Sequence, residues 1–227
     1  MTYPETISLL IPGYRDPVKT AATISSFLGM AYSQDRLEVI IHVEDNDPAK
    51  EEFFKLEDDF PSVRILTGYP IGYLGLGSYF DRCFRLSTGS LLLALCDDVQ
   101  VETRGWDEAY RRVLKYVPFG VAGAGVNEGP NNPINFSWAF PMVRRDICER
   151  LGSWIPGGVA YDRVTAYYSD ISGRGRIASV KLNTVWSPPE RGSQRDIWYQ
   201  YCRGNWDFLQ QKWQEEAQRI ERTVERL

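Results

Sequence analysis

Four strongly apolar runs, "TISLLIP", "LEVIIHV", "SVRIL" and "SLLLALC", punctuate the first hundred residues, with helically spaced segments between them. The runs are continuously apolar instead of alternating, which is the pattern of strands buried on both faces. Strand and helix alternate three times before the fourth run. This predicts an α/β fold with a mainly parallel sheet covered by helices on both sides. Turn chemistry agrees: Pro12-Gly13 halts the first strand, Asp16-Pro17 opens a helix and Asp47-Pro48 a second. The first helix is expected to bury Val18, Ala21, Ala22, Ser25 and Leu28, with Ile24 contributing less. Gly89 is expected to stop the third helix, "SYFDRCFRLSTG".

In such sheets ligands sit beyond the carboxyl ends of the strands. Pro12 to Tyr14, Glu44 to Asp47 and Asp97-Asp98 all fall at such ends, so three segments aim polar groups at one rim. The acids of "HVEDNDPAK" divide between capping, given to Asp47, and hydrogen bonding to a ribose or base edge, given to Glu44 and Asp45. The pair in "LLLALCDDVQVE" suits a hard cation, because Mg²⁺ or Mn²⁺ takes one or two carboxylates plus substrate phosphates. Solvated turn acids are the plain alternative.

Beyond residue 118 the rhythm changes. "GVAGAGV" and "FSWAFPMV" read as strands, "RRDICERLG" as a short helix ended by Gly152, and "KLNTVW" as part of another strand. From Asn205 onward Leu209, Trp213, Ala217, Ile220, Val224 and Leu227 recur at steps of four and three. That stripe either docks on the domain or forms a short coiled-coil contact between two copies. The expected organisation is one domain over 1–204, with a nucleotide-binding half (1–100) and an acceptor half (101–204), followed by an amphipathic helix over 205–227.

Several classes are excluded. A net charge of −4 argues against general nucleic-acid binding, which wants a basic face. No run approaches the roughly 18 apolar residues of a membrane span. The four cysteines lie far apart without metal spacing, pointing to reduced thiols and a cytoplasmic setting. Gly72, Gly75 and Gly77 do not have the dinucleotide spacing and do not follow the first strand. The single histidine, His42, lies inside a strand, a poor position for a hydrolase triad. A nucleotidyltransferase would need a glycine-rich basic loop where "PGYRDPVK" has one glycine.

Taken in order, the segments resemble family-2 glycosyltransferases of the GT-A fold over nearly the whole chain. "ISLLIPGYRDPVKTAATISSFL" is similar to their opening strand, turn and helix. "LEVIIHVEDNDP" resembles the second strand ending in an acid that holds the base, and "GLGSYFDRCFRLSTGSLLLALCDDV" the helix running into the D-x-D strand. "FSWAFPMVRRDICERLGSW", "YYSDISGRGR" and "YCRGNWDFLQQKW" resemble the R-R and L-G stretch, the acid-bearing acceptor segment and the helical closure. The resemblance implies a Rossmann-related GT-A-like sheet and transfer of a sugar from a nucleotide-diphosphate donor to an acceptor hydroxyl, with inversion. It implies Mn²⁺ or Mg²⁺ on Asp98, and donor contacts from Pro12, Tyr14, Arg15, Glu44, Asp45, Asp81, Asp97 and Arg174. Asp170 is the candidate base and Asp162 the second candidate; the acceptor is not specified. The chain departs from the family pattern at Cys96, where D-x-D has its first acid, and Asp81 stands where an asparagine is frequent. That keeps open a catalytically inactive nucleotide-sugar-binding or scaffold protein on the same fold.

Overall fold

A computed structural model describes residues 5–72, 75–115, 121–126, 135–136, 140–154, 177–180, 182, 184–186 and 204–224. The parallel wing of the main sheet is β1 (Ile7–Gly13), β2 (Leu37–Glu44), β3 (Val63–Gly68) and β4 (Leu91–Ala94). Its order is β3-β2-β1-β4, all parallel. β8 (Met142–Arg144) pairs antiparallel with β4. Next come β6 (Val121–Val126) and, on β6, β7 (Asn135–Phe136) and β9 (Ile177–Val180). A separate two-stranded ribbon joins β5 (Val99–Val101) to β10 (Thr184–Trp186). The run 91–102 is thus two strands, broken by the turn that carries the acid pair.

The continuous apolar pattern has its reason in two cores, one on each face. Leu9, Ile11, Val39, Ile41 and Leu93 point to the side covered by helices α1 (Pro17–Met30), α2 (Lys50–Asp59) and α4 (Trp106–Leu114). Leu10, Ile40, Leu92 and Ala94 point to the side covered by α3 (Leu76–Leu86), α5 (Arg145–Leu151) and α6 (Trp206–Val224). Sequence reading did not anticipate α4, whose Trp106 packs edge-on against Phe27.

Three local expectations are corrected. Helix α1 buries Thr20, Thr23, Ile24 and Phe27, while Val18 is 77% exposed. Burying two threonines costs little because their hydroxyls donate to the carbonyls of Asp16 and Asp97. Gly89 does not stop α3, which ends at Leu86 with an extended Ser87. Instead it passes where a Cβ would lie 2.4 Å from Ser8 Oγ. Asp47 is not the N-cap of α2, since the helix begins at Lys50; it closes a turn by accepting from Ala49 N at 2.8 Å.

The C-terminal stripe is used within the chain. Leu209, Trp213, Ala217 and Ile220 are buried in the second core with Phe80, Ile147 and Trp154. These four residues are therefore not available for a coiled-coil dimer, and docking is the outcome. Among the described residues no helix is long and apolar enough to cross a membrane. Cys83, Cys96 and Cys148 are thiols and not disulfide-bonded.

At the amino-terminal end of the sheet, Glu38 ties four segments together. It accepts from Ser8 Oγ (2.5 Å), Gly89 N (2.7 Å), Thr88 N and Arg64 Nη2 (2.7 Å). Burial pushes its carboxyl up, but the bonds from Ser8, Thr88 and Gly89 outweigh burial and hold it below its ordinary value of 4.5. A carboxylate held low stabilises the fold above its unfolded value and loses that contribution as pH falls. Glu38→Gln is therefore expected to cost about 2 kcal/mol near neutrality. The gap from wild type should shrink as thermal melts are taken below pH 4.5. A gap that stays constant down the pH series would contradict this account.

Candidate active site

β1 leads through α1 to β2 on one side, while β4 lies on the other side of β1. The crevice beyond the carboxyl ends of β1 and β4 is thus the topological switch point, where such sheets bind ligands. Backbone and carboxylate meet there: Tyr14 N donates to Asp97 Oδ2 at 3.1 Å, and Thr23 Oγ1 holds the Asp97 carbonyl at 3.0 Å. Pro12 is the next-to-last residue of β1, paired opposite His42.

A cleft of about 260 Å³ opens beside this point. Tyr14 and Arg15 line it from the end of β1, Glu44, Asn46, Asp47 and Pro48 from the end of β2, and Pro70 and Gly72 from beyond β3. Three parallel strands thus deliver one polar, largely acidic wall. Asp45 is exposed at its edge, its backbone N–H bound to the Gly68 carbonyl at 2.8 Å.

Glu44 is fixed from behind. Its Oε1 accepts from Gly72 N at 3.1 Å and from the Tyr79 hydroxyl. The same hydroxyl accepts from Ile71 N (2.7 Å) and Gly72 N (2.8 Å), so one phenol from α3 holds both the acid and the loop facing it. Burial and the bond to Glu44 push that phenol up to about 12. Tyr79 in turn stacks on His42 at 4.5 Å. Arg82 Nη1 lies 2.9 Å from His42 Nε2, and a guanidinium only donates, so the imidazole proton sits on Nδ1. Burial and the Arg82 charge bring His42 down to about 4, leaving it a neutral strut.

The acid pair sits in the turn between β4 and β5. Burial, then the adjacent charge of Asp98, raises Asp97 to about 7 despite the bond from Tyr14. Asp98 Oδ1 is shielded from solvent. Two consecutive acids whose charges oppose one another supply hard oxygen donors of the kind a divalent cation takes, and such an ion would offset the penalty on Asp97. Among the described residues no group of three or more His, Cys, Asp or Glu could hold a metal. Phosphate and water would have to complete the coordination, as is usual for Mg²⁺ and Mn²⁺.

The structure thus brings Pro12, Tyr14, Arg15, Glu44 and Asp97-Asp98 to one rim. Asp81 is occupied elsewhere, bound to Arg85 Nε (2.8 Å) and Trp154 N (2.8 Å), where it joins α3 to the turn after α5. Asp162, Asp170 and Arg174 lie outside the described residues. Sequence reasoning missed the second bond of Asp47, hidden because Asp-Pro reads as a helix start. It also missed Tyr79, whose reach back to Glu44 has no signature in spacing.

No protein-family model and no curated protein sequence matches the chain. Solved structures do. S. aureus TarS 1-349 in complex with UDP-GlcNAc superposes with a TM-score of 0.67 at 9% identity, covering 84% of this chain and 60% of that one. The mannosyltransferase PcManGT from Pyrobaculum calidifontis, in complex with GDP-Man and Mn²⁺, gives 0.64 at 19% identity, covering 84% and 59%. The chain therefore spans about three fifths of these two structures. The fold is that of the GT-A glycosyltransferases. At these identities the likeness establishes architecture and not activity.

Proposed function

We propose that this chain is a glycosyltransferase that binds a nucleotide-diphosphate sugar at the cleft beside the switch point and transfers the sugar to an acceptor hydroxyl with inversion. The observation that carries the reading is the meeting of three strand ends at one rim, with Tyr14 N bound to Asp97 beside a cleft walled by Glu44 and Arg15. TarS is solved with UDP-GlcNAc and PcManGT with GDP-Man and Mn²⁺, which supports a nucleotide-sugar donor and a divalent ion here.

In this reading Glu44, held by Tyr79, offers its second oxygen to the base or ribose, with Asp45 at the margin. Pro12 and Tyr14 shape the floor, and Arg15 faces the diphosphate. Asp97 and Asp98 would hold Mn²⁺ or Mg²⁺, with Asp98 the principal ligand. When bound, the ion would offset the charge that grows on the departing diphosphate. Inversion requires a base on the opposite face of the sugar; Asp170 is assigned that role, Asp162 is the second candidate, and Arg174 is a further cation for the diphosphate. Asp81 would act on the donor only indirectly, through the seating of α3. The 1–100 half would serve the donor and the 101–204 half the acceptor, in a cytoplasmic protein.

The test is a thermal-shift panel of UDP, GDP, CDP, ADP and dTDP, each with and without Mn²⁺. One nucleotide is expected to raise Tm only when the metal is present. At 100 times its Kd a ligand adds about 2.7 kcal/mol, or roughly 5–10 °C for a chain of this size. No shift with any of the five would favour the inactive scaffold that the Cys96-Asp97-Asp98 sequence keeps open.

A further inference from the structure

The turn between β1 and α1 is strained. Arg15 has φ +57, the only positive φ outside glycine among the described residues. Asp16 N donates to the Tyr14 carbonyl at 2.7 Å, closing a γ-turn centred on Arg15 in its rare, strained hand. Glycine would adopt this backbone without a steric penalty, whereas arginine stores strain in it.

What holds the turn is Asp47. It is 7% exposed, and its two oxygens divide their work: Oδ1 closes the local turn at Ala49 N, and Oδ2 reaches Arg15 N at 2.9 Å. Shaping the approach to α2 needs only the first bond. The second crosses from the end of β2 to the end of β1 and fixes the one backbone N–H that sets where Arg15 departs. The Arg15 guanidinium then lies over the Tyr14 ring at 4.9 Å, and among the described residues it is the sole cation lining a cleft that also carries Glu44 and Asp47.

We propose that Asp47 is a positioning residue: it holds the β1–α1 turn in a strained form that presents the Arg15 guanidinium to the anionic diphosphate of the donor. The turn thereby gives up stability to place a cation in an otherwise acidic cleft. This rests on the donor-binding reading above.

Two readouts separate the claims. The first is Tm without ligand; the second is affinity for UDP, GDP, CDP, ADP and dTDP, each with Mn²⁺, by calorimetry. Arg15→Gly is expected to raise Tm by about 2–4 °C, because the strain disappears. The same variant should bind the nucleotide at least about tenfold more weakly, because a charge-assisted contact is lost. Asp47→Ala should lower Tm and weaken binding, but add no further loss of affinity in the Arg15→Gly background, since it acts through Arg15. Asp47→Asn, which keeps one acceptor oxygen, should recover part of the affinity and guards against a simple folding defect in the alanine variant. Wild-type affinity in Arg15→Gly would overturn the proposal while leaving the donor reading intact, as would an Asp47→Ala loss that adds in full to that of Arg15→Gly. If wild type binds none of the five nucleotides, the donor reading falls, and this proposal with it.

Discussion

Replacing Asp98 with asparagine is expected to leave the fold intact and to abolish the effect of Mn²⁺ on nucleotide binding. The first half follows from charge. Asp97 and Asp98 repel one another in a partly buried turn, strongly enough to help raise Asp97 to about 7, so neutralising one of them removes repulsion. The ligand-free Tm of Asp98→Asn should therefore be no lower than that of wild type. The second half follows from chemistry: an amide oxygen is a weaker ligand for a hard cation and brings no charge to it. Loss of electrostatic stabilisation at a growing charge typically costs about 10²–10³ in turnover, so transfer should fall by at least ~100-fold. Asp97→Asn should also keep the turn seated, because its amide oxygen can still accept from Tyr14 N, and should weaken the Mn²⁺ effect less than Asp98→Asn because Asp98 is the principal ligand. Turnover and Mn²⁺-dependent shifts that survive in Asp98→Asn would sink the metal reading while leaving the fold assignment untouched.

Burial makes some features legible from sequence and hides others. The parallel wing could be read because both faces of each strand are covered, and continuous runs such as "LEVIIHV" have no other economical explanation. The rim could be read because strand ends follow from the strands: Tyr14, Glu44 and Asp97 needed no knowledge of side-chain contacts. Helix α1 was misread because its buried face contains Thr20 and Thr23, whose polarity is satisfied by carbonyls that only the fold brings near. Gly89 was misread because a close approach to Ser8, 81 residues away, looks in sequence like a helix stop. Asp47 and Tyr79 share this limit: Asp47 makes its decisive bond from the end of β2 to the end of β1, and Tyr79 reaches from α3 to the end of β2. Local rules find the elements and their ends; the contacts that orient a site are long-range and leave no periodic trace.

The largest stability loss is expected from a residue far from the rim. Asp107 and Arg111 on α4 form a buried pair with both side chains inaccessible, Nη1 to Oδ2 at 2.7 Å. Asp107 also accepts from Tyr32 N (2.9 Å) and Ser33 N (3.1 Å), securing the chain that leaves α1. Burial pushes its carboxyl up, but the bonds from Tyr32, Arg111 and Ser33 prevail and hold it below its ordinary value. Asp107→Ala would strand two backbone donors and leave a buried guanidinium with Glu108 Oε1 (3.1 Å) and the Glu5 carbonyl (2.9 Å) for company. Breaking one side of such a pair typically costs about 3–5 kcal/mol, or on the order of 10 °C in Tm for this chain length. Removing both charges is a different experiment. In Asp107→Ala/Arg111→Met neither charge of the pair remains, and apolar replacement of an ion pair is often close to neutral, although Glu108, 18% exposed, also loses its partner. The double variant should therefore recover much of the lost Tm, falling short by the cost of the unmet Tyr32 and Ser33 N–H groups. If the double variant, with Glu108→Gln added so that no carboxylate is left without its arginine, melts as low as Asp107→Ala, the loss comes from those two backbone bonds instead of from the stranded charge. The role of the pair would then be to fix the α1–β2 turn, with the arginine incidental.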